Sequence, residues 1–476
     1  MRGRSPPAAA LVAVAAGWSV LQLALVGHVG LGWDETVYTS QVADVPAAFF
    51  SAPRARGISW LVAPVAAVSS DPGAIRGYLA LASGVGLVVT YWPWLRLHRG
   101  PVVPLAAGLF AVLWVSLFYG PAVMPNLWVA LAAVAATGWF LRAGSRPAAA
   151  WPLVAMALAV GAAALLRPLD AVVLAAALLV AVLVVARWRD WRRLLGIGCG
   201  LATGLSPWVI EAVTSYGGVL ERLHAGARVE GGLSPQWSVG TALSAVDGPA
   251  LCRPCLRSLP MTGLGLWLGG LVAVALACWL AWRDGRLETT TLPTAVGFAM
   301  ALPYLFLIDY NAPRFLQPAY ALLVLPVALA LAAWWASRRL RLRGLVAVIV
   351  VGLLVYQMGV LAAIVRGSDR QREAWAKVAA TLSAHGVRPP CKLTGSAAVP
   401  LAFYAGCDSA QLSGPDRSTS VTGLLRTALT QRVAVLARDG ARVPTWAQTW
   451  SQVRVSTGLG GWALRLAPTR WPNAGS

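Results

Sequence analysis

Residues 8–38 read AAALVAVAAGWSVLQLALVGHVGLGWDETVY and contain the two features that decide how the rest of the chain is interpreted. About 20 almost uninterrupted apolar residues come first, which is the length that an α-helix needs to cross a bilayer. Asp34 and Glu35 follow in the adjoining segment. A carboxylate at a membrane edge is costly to desolvate, so this pair is the first candidate for chemistry; the alternative is a solvated loop pair.

The composition predicts a polytopic α-helical membrane protein. Of the 476 residues, 58% are hydrophobic and only 12% are charged, and the mean hydropathy is +0.66, outside the usual range of globular proteins. Apolar runs near or above the length of a bilayer-crossing helix predict about 11 transmembrane helices. The predicted spans are 8–27, 75–95, 102–119, 124–141, 149–166, 170–186, 194–213, 262–282, 292–308, 317–336 and 344–365.

The arginines are concentrated on one side of these spans. If the N-terminus is cytoplasmic, the loops on that side hold 16 basic residues against three acids. This is the positive-inside pattern, so the net charge of +21 orients the helices and contacts anionic membrane lipids, and no nucleic-acid partner is needed. The basic residues are Arg2, Arg4, Arg96, Arg99, Arg142, Arg146, Arg187, Arg189, Arg192, Arg193, Arg283, Arg286, Arg338, Arg339, Arg341 and Arg343, and the acids are Asp190, Asp284 and Glu288.

Two apolar segments differ from an ordinary span. Residues 58–70 are only 13 in number and are interrupted by Pro64. A crossing there would place every later arginine cluster outside, so we expect an interfacial or re-entrant helix on the outer face. Residues 8–27 exceed the core of a typical signal peptide and lack a convincing small-x-small cleavage site, which favours a retained first transmembrane helix.

This topology leaves residues 28–74, 214–261 and 367–476 on the extracytoplasmic side. Residues 1–366 form the predicted transmembrane domain. The region after 366 is too polar to span a membrane and is long enough for a small α/β domain, in which we find no catalytic signature. Helical spacing is present at 372–385, and strand patterns occur at 391–394, 432–436, 452–456 and 462–466.

Four of the six cysteines lie in extracytoplasmic regions of this topology, where oxidation is allowed. A disulfide between Cys391 and Cys407, and another between Cys252 and Cys255, is the simplest hypothesis. A structural zinc site at Cys252 and Cys255 is the alternative, but four ligands would be needed, and His224 is the only outer histidine near that pair.

Several short motifs occur in a particular order along the chain. The sequence has no nucleotide-binding motif, and an extracytoplasmic active site would have no nucleotide sugar to use, so a sugar donor would have to come from the membrane. The motifs are Gly32-Trp33-Asp34-Glu35 with Tyr38, then Arg56-Gly57, then Leu166-Arg167-Pro168-Leu169-Asp170, and then Asn311-Ala312-Pro313-Arg314-Phe315-Leu316-Gln317-Pro318-Ala319-Tyr320.

This ordered set resembles the GT-C superfamily of polyprenyl-phosphate-sugar-dependent glycosyltransferases. The resemblance is to the bacterial relatives of protein O-mannosyltransferases and of the lipid A aminoarabinose transferase, and it covers most of residues 8–366. It implies a GT-C-like fold and an inverting, single-displacement transfer of sugar. In that reaction a carboxylate takes the proton of the acceptor and cations stabilise the departing phosphate.

The resemblance also implies roles for individual residues. Asp34 would be the base, and Glu35 would assist it, bind an acceptor hydroxyl, or be only a neighbour. Arg314 is the first candidate for binding the phosphate, because an arginine fork matches phosphate oxygens. Arg54 and Arg56 come next, with attachment of the loop to lipid head groups as the alternative.

Two further residues belong to the implied binding set. Tyr38 belongs to the first motif. Relatives commonly carry a second acid in the next outer loop, whereas Gly120–Asn126 contains none. Asn126 could hydrogen-bond a sugar or acceptor in its place, or be an ordinary residue at a helix start.

We therefore expect a membrane glycosyltransferase with a polyprenyl-phosphate-linked donor and a cell-envelope glycan, lipid or exported protein as acceptor. The alternatives are a transporter or flippase, and a catalytically inactive GT-C-like scaffold. A transporter usually carries ionisable residues at mid-span, whereas these spans are almost free of acids. No cofactor is predicted with certainty, and dependence on a divalent cation stays open. Abundant Ala, Arg, Gly and Trp with only two lysines favour a GC-rich bacterial source.

Overall fold

The computed structural model describes residues 6–143, 150–248, 258–285, 287–336, 340–414 and 416–468. Cys252 and Cys255 lie outside these residues. Each of the eleven predicted spans overlaps a helix. The helices are α1 (Pro6–Leu25), α2 (Trp33–Ser40), α3 (Gly57–Ala66), α4 (Pro72–Tyr91), α5 (Val102–Ala111), α6 (Trp114–Tyr119), α7 (Pro125–Ala143), α8 (Trp151–Leu166), α9 (Pro168–Val184), α10 (Trp191–Tyr216), α11 (Val219–Glu230), α12 (Val239–Ser244), α13 (Met261–Arg283), α14 (Glu288–Phe306), α15 (Gln317–Ala336), α16 (Leu340–Ala384), α17 (Ala398–Ala405) and α18 (Val421–Thr427).

Seven helices of the described chain are long and apolar enough to cross a membrane. Four shorter apolar helices, α3, α5, α8 and α9, accompany them. The predicted class, a polytopic helical membrane protein, is therefore confirmed, while the count of about 11 crossings stays a prediction. The seven segments are Pro6–His28, Pro72–Arg96, Pro125–Ala143, Trp191–Tyr216, Met261–Arg283, Pro313–Ala336 and Arg343–Ala384.

Two helix boundaries differ from the prediction. Residues 102–119 form two helices, because Leu113 is extended and the Trp114 backbone N–H donates to Gln357 Oε1 at 2.7 Å instead of to the preceding turn. The last span and the helix predicted at 372–385 are one helix of 45 residues, α16. The polar segment between them contains no proline, and Arg372 pairs with Asp369 one turn earlier at 2.8 Å, so nothing there ends the helix.

The chain divides into two compact units. The helical unit contains the residues up to Ala24, Ala55–Gly57 and Leu79–Ile364. The sheet unit contains Leu25–Arg54, Ile58–Tyr78 and Val365–Ser476. Most of the first loop thus groups with the C-terminal domain, although the sequence assigned it to the transmembrane domain.

Close contact between α8 and α10 illustrates how the helical unit packs. A Cβ atom at Gly200 would lie 2.4 Å from the Ala157 carbonyl oxygen, and one at Gly204 would lie 2.2 Å from the Gly161 carbonyl oxygen. Only glycine fits at both places. Small residues allow backbones to approach in this way where the hydrophobic effect cannot drive helices together.

The C-terminal domain contains a five-stranded mixed sheet with the order β2-β1-β3-β5-β4. The first three strands in this order are parallel, and β5 runs antiparallel to both β3 and β4. Alternate residues of β3 enter two cores: Leu436 faces the core that includes α16 and α17, and Val435 faces the core that includes α18. The strands are β1 (Cys391–Gly395), β2 (Asp408–Ala410), β3 (Arg432–Arg438), β4 (Ser451–Thr457) and β5 (Gly460–Leu466).

Candidate active site

The start of α2 fixes the position of Asp34 in the sheet unit. The Gly32 N–H donates to Glu35 Oε2 at 2.7 Å, and the Thr36 N–H donates to the Gly32 carbonyl oxygen at 2.9 Å. This Glu-mediated cap begins the helix at Trp33 and places Asp34 in its first turn. The positive end of the helix dipole favours a negative charge there.

Asp34 pairs with Arg54 and keeps part of its side chain exposed. Its Oδ1 accepts from Arg54 Nη2 at 3.0 Å, and 39% of its side chain is exposed. A proton acceptor must be within reach of a substrate, and the part-exposed carboxylate of Asp34 meets that condition.

Arg54 connects Asp34 to a second carboxylate, that of Asp416 in the loop after β2. Arg54 Nη1 donates to Asp416 Oδ1 at 2.6 Å and also to Ser51 Oγ. Burial alone would lower the pKa of Arg54, but the phenol of Tyr38 and the two carboxylates together raise this pKa above its ordinary value. The guanidinium therefore stays charged and binds the carboxylates of both Asp34 and Asp416.

Glu35 has a different environment from its neighbour. Both of its carboxylate oxygens accept from Arg76 Nη2, at 2.9 and 2.8 Å, and the same nitrogen donates to the Gly30 carbonyl oxygen at 2.6 Å. The Arg76 side chain is only 1% exposed. The contacts of Glu35 thus tie α2 to α4.

Tyr38 is buried one turn further along α2. Its ring meets Phe50 edge to face at a centroid distance of 6.0 Å, and its carbonyl oxygen accepts from Ser59 Oγ at 2.8 Å. On the side of the C-terminal domain, Tyr404 of α17 accepts from the Leu31 N–H at 2.7 Å. These contacts hold the segment around Asp34 from several elements of the same unit.

In the helical unit, Arg56 belongs to a three-residue ion network. Arg56 Nη2 donates to Glu211 Oε1 at 2.6 Å, and Arg222 Nη2 donates to Glu211 Oε2 at 2.9 Å. Arg222 is fully buried, with its guanidinium 4.5 Å from the ring centroid of Trp208. The adjoining Gly57 is required for packing, because a Cβ there would lie 2.6 Å from a carbonyl oxygen of α8.

Arg314 lies in a short 3-10 helix, Pro313–Leu316, before α15. Its Nη1 donates to the Tyr119 hydroxyl at 3.5 Å, and its guanidinium is 5.3 Å from the ring centroid of Phe315. Arg167 lies at the same distance from that ring. Arg167 also pairs with Asp170 at 3.1 Å, so two cations accompany one aromatic ring.

Two asparagines of the helical unit are buried, and neither amide atom of either one has a hydrogen-bond partner among the described residues. Asn126, the second residue of α7, and Asn311 are each only 1% exposed. A buried amide without a hydrogen-bond partner lowers the free energy of unfolding by about 1–3 kcal/mol. A role in binding a ligand would explain why such a group is retained.

The described residues contain no group of three or more His, Cys, Asp or Glu side chains that could hold a metal ion. Cys391 and Cys407 form a disulfide with Cα atoms 4.8 Å apart, which joins the start of β1 to the residue before β2. The disulfide therefore links β1 to the edge strand β2, and the loop that carries Asp416 follows β2.

Solved structures share the architecture of this chain. ArnT from Cupriavidus metallidurans in the apo state superposes with a TM-score of 0.70 at 15% identity, over 96% of this chain and 97% of that one. The same protein bound to undecaprenyl phosphate gives 0.68 at 14% identity, over 96% and 98%. The chain has the GT-C fold. The resemblance predicted from the motifs is confirmed at the level of fold.

A more distant GT-C structure is the oligosaccharyltransferase AglB from Archaeoglobus fulgidus, in complex with an inhibitory peptide and a dolichol-phosphate. Its TM-score is 0.51 at 11% identity, over 97% of this chain and 74% of that one. No protein-family model matches the sequence, and no curated protein matches it either. The similarity is therefore one of fold.

Sequence reasoning missed the partners of the candidate residues. Arg76, Glu211 and Asp416 belong to none of the predicted motifs, and Asn311 is part of a motif without a predicted role of its own. Asp416 follows no motif and lies 382 positions after Asp34, so only the fold could bring them together. Arg76 is unusual in one respect that the sequence shows. It is an arginine near the start of a predicted span, on the side of the membrane opposite the arginine-rich loops.

Proposed function

We propose that the chain is a membrane glycosyltransferase that transfers a sugar from a polyprenyl-phosphate donor to a hydroxyl of a cell-envelope glycan, lipid or exported protein. The observation that carries the proposal is Asp34, a part-exposed carboxylate in the first turn of α2 with Arg54 at 3.0 Å. ArnT bound to undecaprenyl phosphate and AglB with a dolichol-phosphate support a lipid-phosphate donor. The arginine distribution supports a cytoplasmic N-terminus and a reaction on the outer face.

Asp34 would accept the proton of the acceptor hydroxyl as its oxygen attacks the anomeric carbon. The new carbon–oxygen bond forms on one face of the sugar while the bond to the phosphate oxygen breaks on the other, so the configuration inverts and no covalent enzyme intermediate forms. The lipid phosphate leaves with the bonding electron pair. Asp34 then releases its proton to water.

The departing phosphate gains negative charge, and arginines are suited to stabilise it. Arg314 is our first choice, because its guanidinium lies beside Tyr119 and Phe315 just before α15. Arg56 is the second choice, oriented by Glu211. Arg54 already donates to Asp34 and Asp416, so we place it with the base and not with the phosphate.

Asn126 and Asn311 offer neutral hydrogen-bonding groups in the helical unit. Their buried amides would be satisfied by hydroxyls of a bound sugar or acceptor. Asn126 takes the place in the chain where relatives of this type commonly carry a second acid. We propose that it binds substrate through its amide instead of through a charge.

Sugar transfer in reconstituted vesicles tests the function. Purified protein is offered a panel of radiolabelled polyprenyl-phosphate sugars, and Asp34→Asn is compared with the wild type at equal protein amounts. Loss of a proton acceptor lowers the rate by about 100-fold or more. Asp44→Asn, which changes an exposed acid of the same loop, is the control and should match the wild type.

Three outcomes separate the alternatives. Transfer that is lost in Asp34→Asn and kept in Asp44→Asn identifies the donor and supports Asp34 as the base. Equal transfer by all three proteins removes Asp34 from the chemistry. No transfer by any of them, across the donor panel, would favour a transporter or an inactive scaffold.

A further inference from the structure

The C-terminal domain contributes a buried carboxylate to the surroundings of Asp34. The Asp416 side chain is only 6% exposed, and both of its oxygens are engaged. Oδ1 accepts from Arg54 Nη1 at 2.6 Å, and Oδ2 accepts from Trp33 Nε1 at 2.5 Å. These two donors flank the base: Trp33 precedes it in α2, and Arg54 contacts it directly.

The three charges form a chain in which one cation is shared by two acids. Arg54 uses Nη2 for Asp34 and Nη1 for Asp416, so neither acid has the guanidinium to itself. If the charge of Asp416 were removed, Arg54 and Asp34 would become a one-to-one ion pair. A carboxylate in such a pair holds its negative charge more firmly and is a weaker base.

We propose that Asp416 is a positioning residue of the active site, supplied by the C-terminal domain. It fixes the Arg54 guanidinium and the Trp33 indole, and it shares the charge of Arg54 with Asp34. This inference rests on the proposed role of Asp34. It assigns a catalytic purpose to a domain in which the sequence shows no catalytic signature.

Other charged or titratable groups around α2 have their own partners. Glu35 on α2 is paired with Arg76 on α4. Tyr38 on α2 interacts electrostatically with Arg54, and Tyr404 on α17 interacts with Glu35 and Arg76. On α16, Arg372 pairs with Asp369, which also contacts His28. Arg54 contacts both Asp34 and Asp416.

The test compares Asp416→Asn with Arg54→Gln in the vesicle assay. Asp416→Asn keeps the shape of the side chain and removes its charge. We expect kcat to fall by about 10-fold or more, with KM for the donor within about twofold, because the base is mispositioned while the donor contacts are intact. In the pH profile of kcat/KM, the acidic limb should shift to lower pH by roughly half to one unit in Asp416→Asn. In Arg54→Gln it should shift to higher pH.

The matched control is Asp408→Asn, an acid of β2 whose side chain is 44% exposed. It should leave rate and pH profile unchanged. A pH profile in Asp416→Asn that matches the wild type would overturn the inference. A lower rate with an unshifted acidic limb would then reflect only loss of folded protein. Opposite shifts in the two variants would support it.

Hydrogen exchange of residues 33–40 gives a readout that does not need activity. Faster exchange in Asp416→Asn than in Asp408→Asn supports positioning even if the wild type transfers no sugar, in which case only the proposed function fails. If the wild type transfers no sugar, unchanged exchange in Asp416→Asn removes Asp416 from the site.

Discussion

Replacing Glu35 with Gln tests whether this acid supports the site or takes part in the chemistry. The substitution keeps the size of the side chain and removes its charge. Arg76 would then be a cation with a 1% exposed side chain and no carboxylate at 2.8 Å, and the Gly32 N–H would lose a charged acceptor. We therefore expect local opening of α2, and not merely a slower reaction.

The magnitude follows from the burial of the pair. Removing one partner of a buried ion pair costs about 3–5 kcal/mol, and the lower end applies because 11% of the Glu35 side chain is exposed. A cost of about 3 kcal/mol corresponds to an opening equilibrium changed by about 100-fold. Removing both charges, with Glu35→Met and Arg76→Met together, should recover about half of that cost, since a buried pair is often replaceable by apolar side chains.

Hydrogen exchange of residues 28–40 measures this opening, with Asp44→Asn as the control. The expected result is a rise of about 100-fold in the exchange rate in Glu35→Gln, partial recovery in the double variant and no change in the control. Unchanged exchange combined with abolished sugar transfer would refute the argument. Glu35 would then belong to the chemistry and not to the support of α2.

Three further predictions concern separate parts of the molecule. Burial raises the pKa of Tyr404 from 10.0 to about 12. The phenol therefore stabilises the fold fully below pH 10, and this stabilisation is lost as the pH rises through about 12. In Tyr404→Phe, the free energy of unfolding should not show this decrease at alkaline pH. Cys391→Ser removes a cross-link between positions 16 apart and should lower the free energy of unfolding of the C-terminal domain by about 3 kcal/mol, measured by urea titration. Cys199→Ser changes a thiol that forms no disulfide and should leave this free energy unchanged. Asn126→Leu should raise the melting temperature by removing a buried amide without a partner, while it lowers sugar transfer; higher stability with unchanged transfer would remove Asn126 from the binding set.

Most of the helical architecture could be predicted from sequence, because the length and apolarity of a run are local properties. The errors came where a tertiary contact changed a local preference. Residues 102–119 read as one span, yet Gln357 accepts the Trp114 N–H and the helix breaks at that point. Four of the five strands were predictable for the same reason as the helices. β3, for example, is a continuous buried run whose alternate residues enter two separate cores.

The candidate site was predictable only in part. A short motif, Gly32-Trp33-Asp34-Glu35, shows which acids are unusual, but it does not show that one of them caps a helix and pairs with Arg76 while the other stays open. The two roles depend on partners from distant segments. Sequence spacing contains no signal for such pairs unless their side chains already belong to a known motif.

The pairing of acids with arginines explains why acids are scarce in this chain yet matter where they occur. The chain has 18 acidic residues against 39 basic ones, so a carboxylate placed near the apolar segments meets an excess of cations. Glu35 binds Arg76 and Glu211 binds Arg222, two arginines that are almost completely buried, and Asp416 shares Arg54 with Asp34. An acid that is locked to its own arginine is a support, whereas an acid that shares a cation and remains open to solvent can accept a proton. Among these acids Asp34 combines the two properties, and for that reason we propose it as the base and propose that the others support its position.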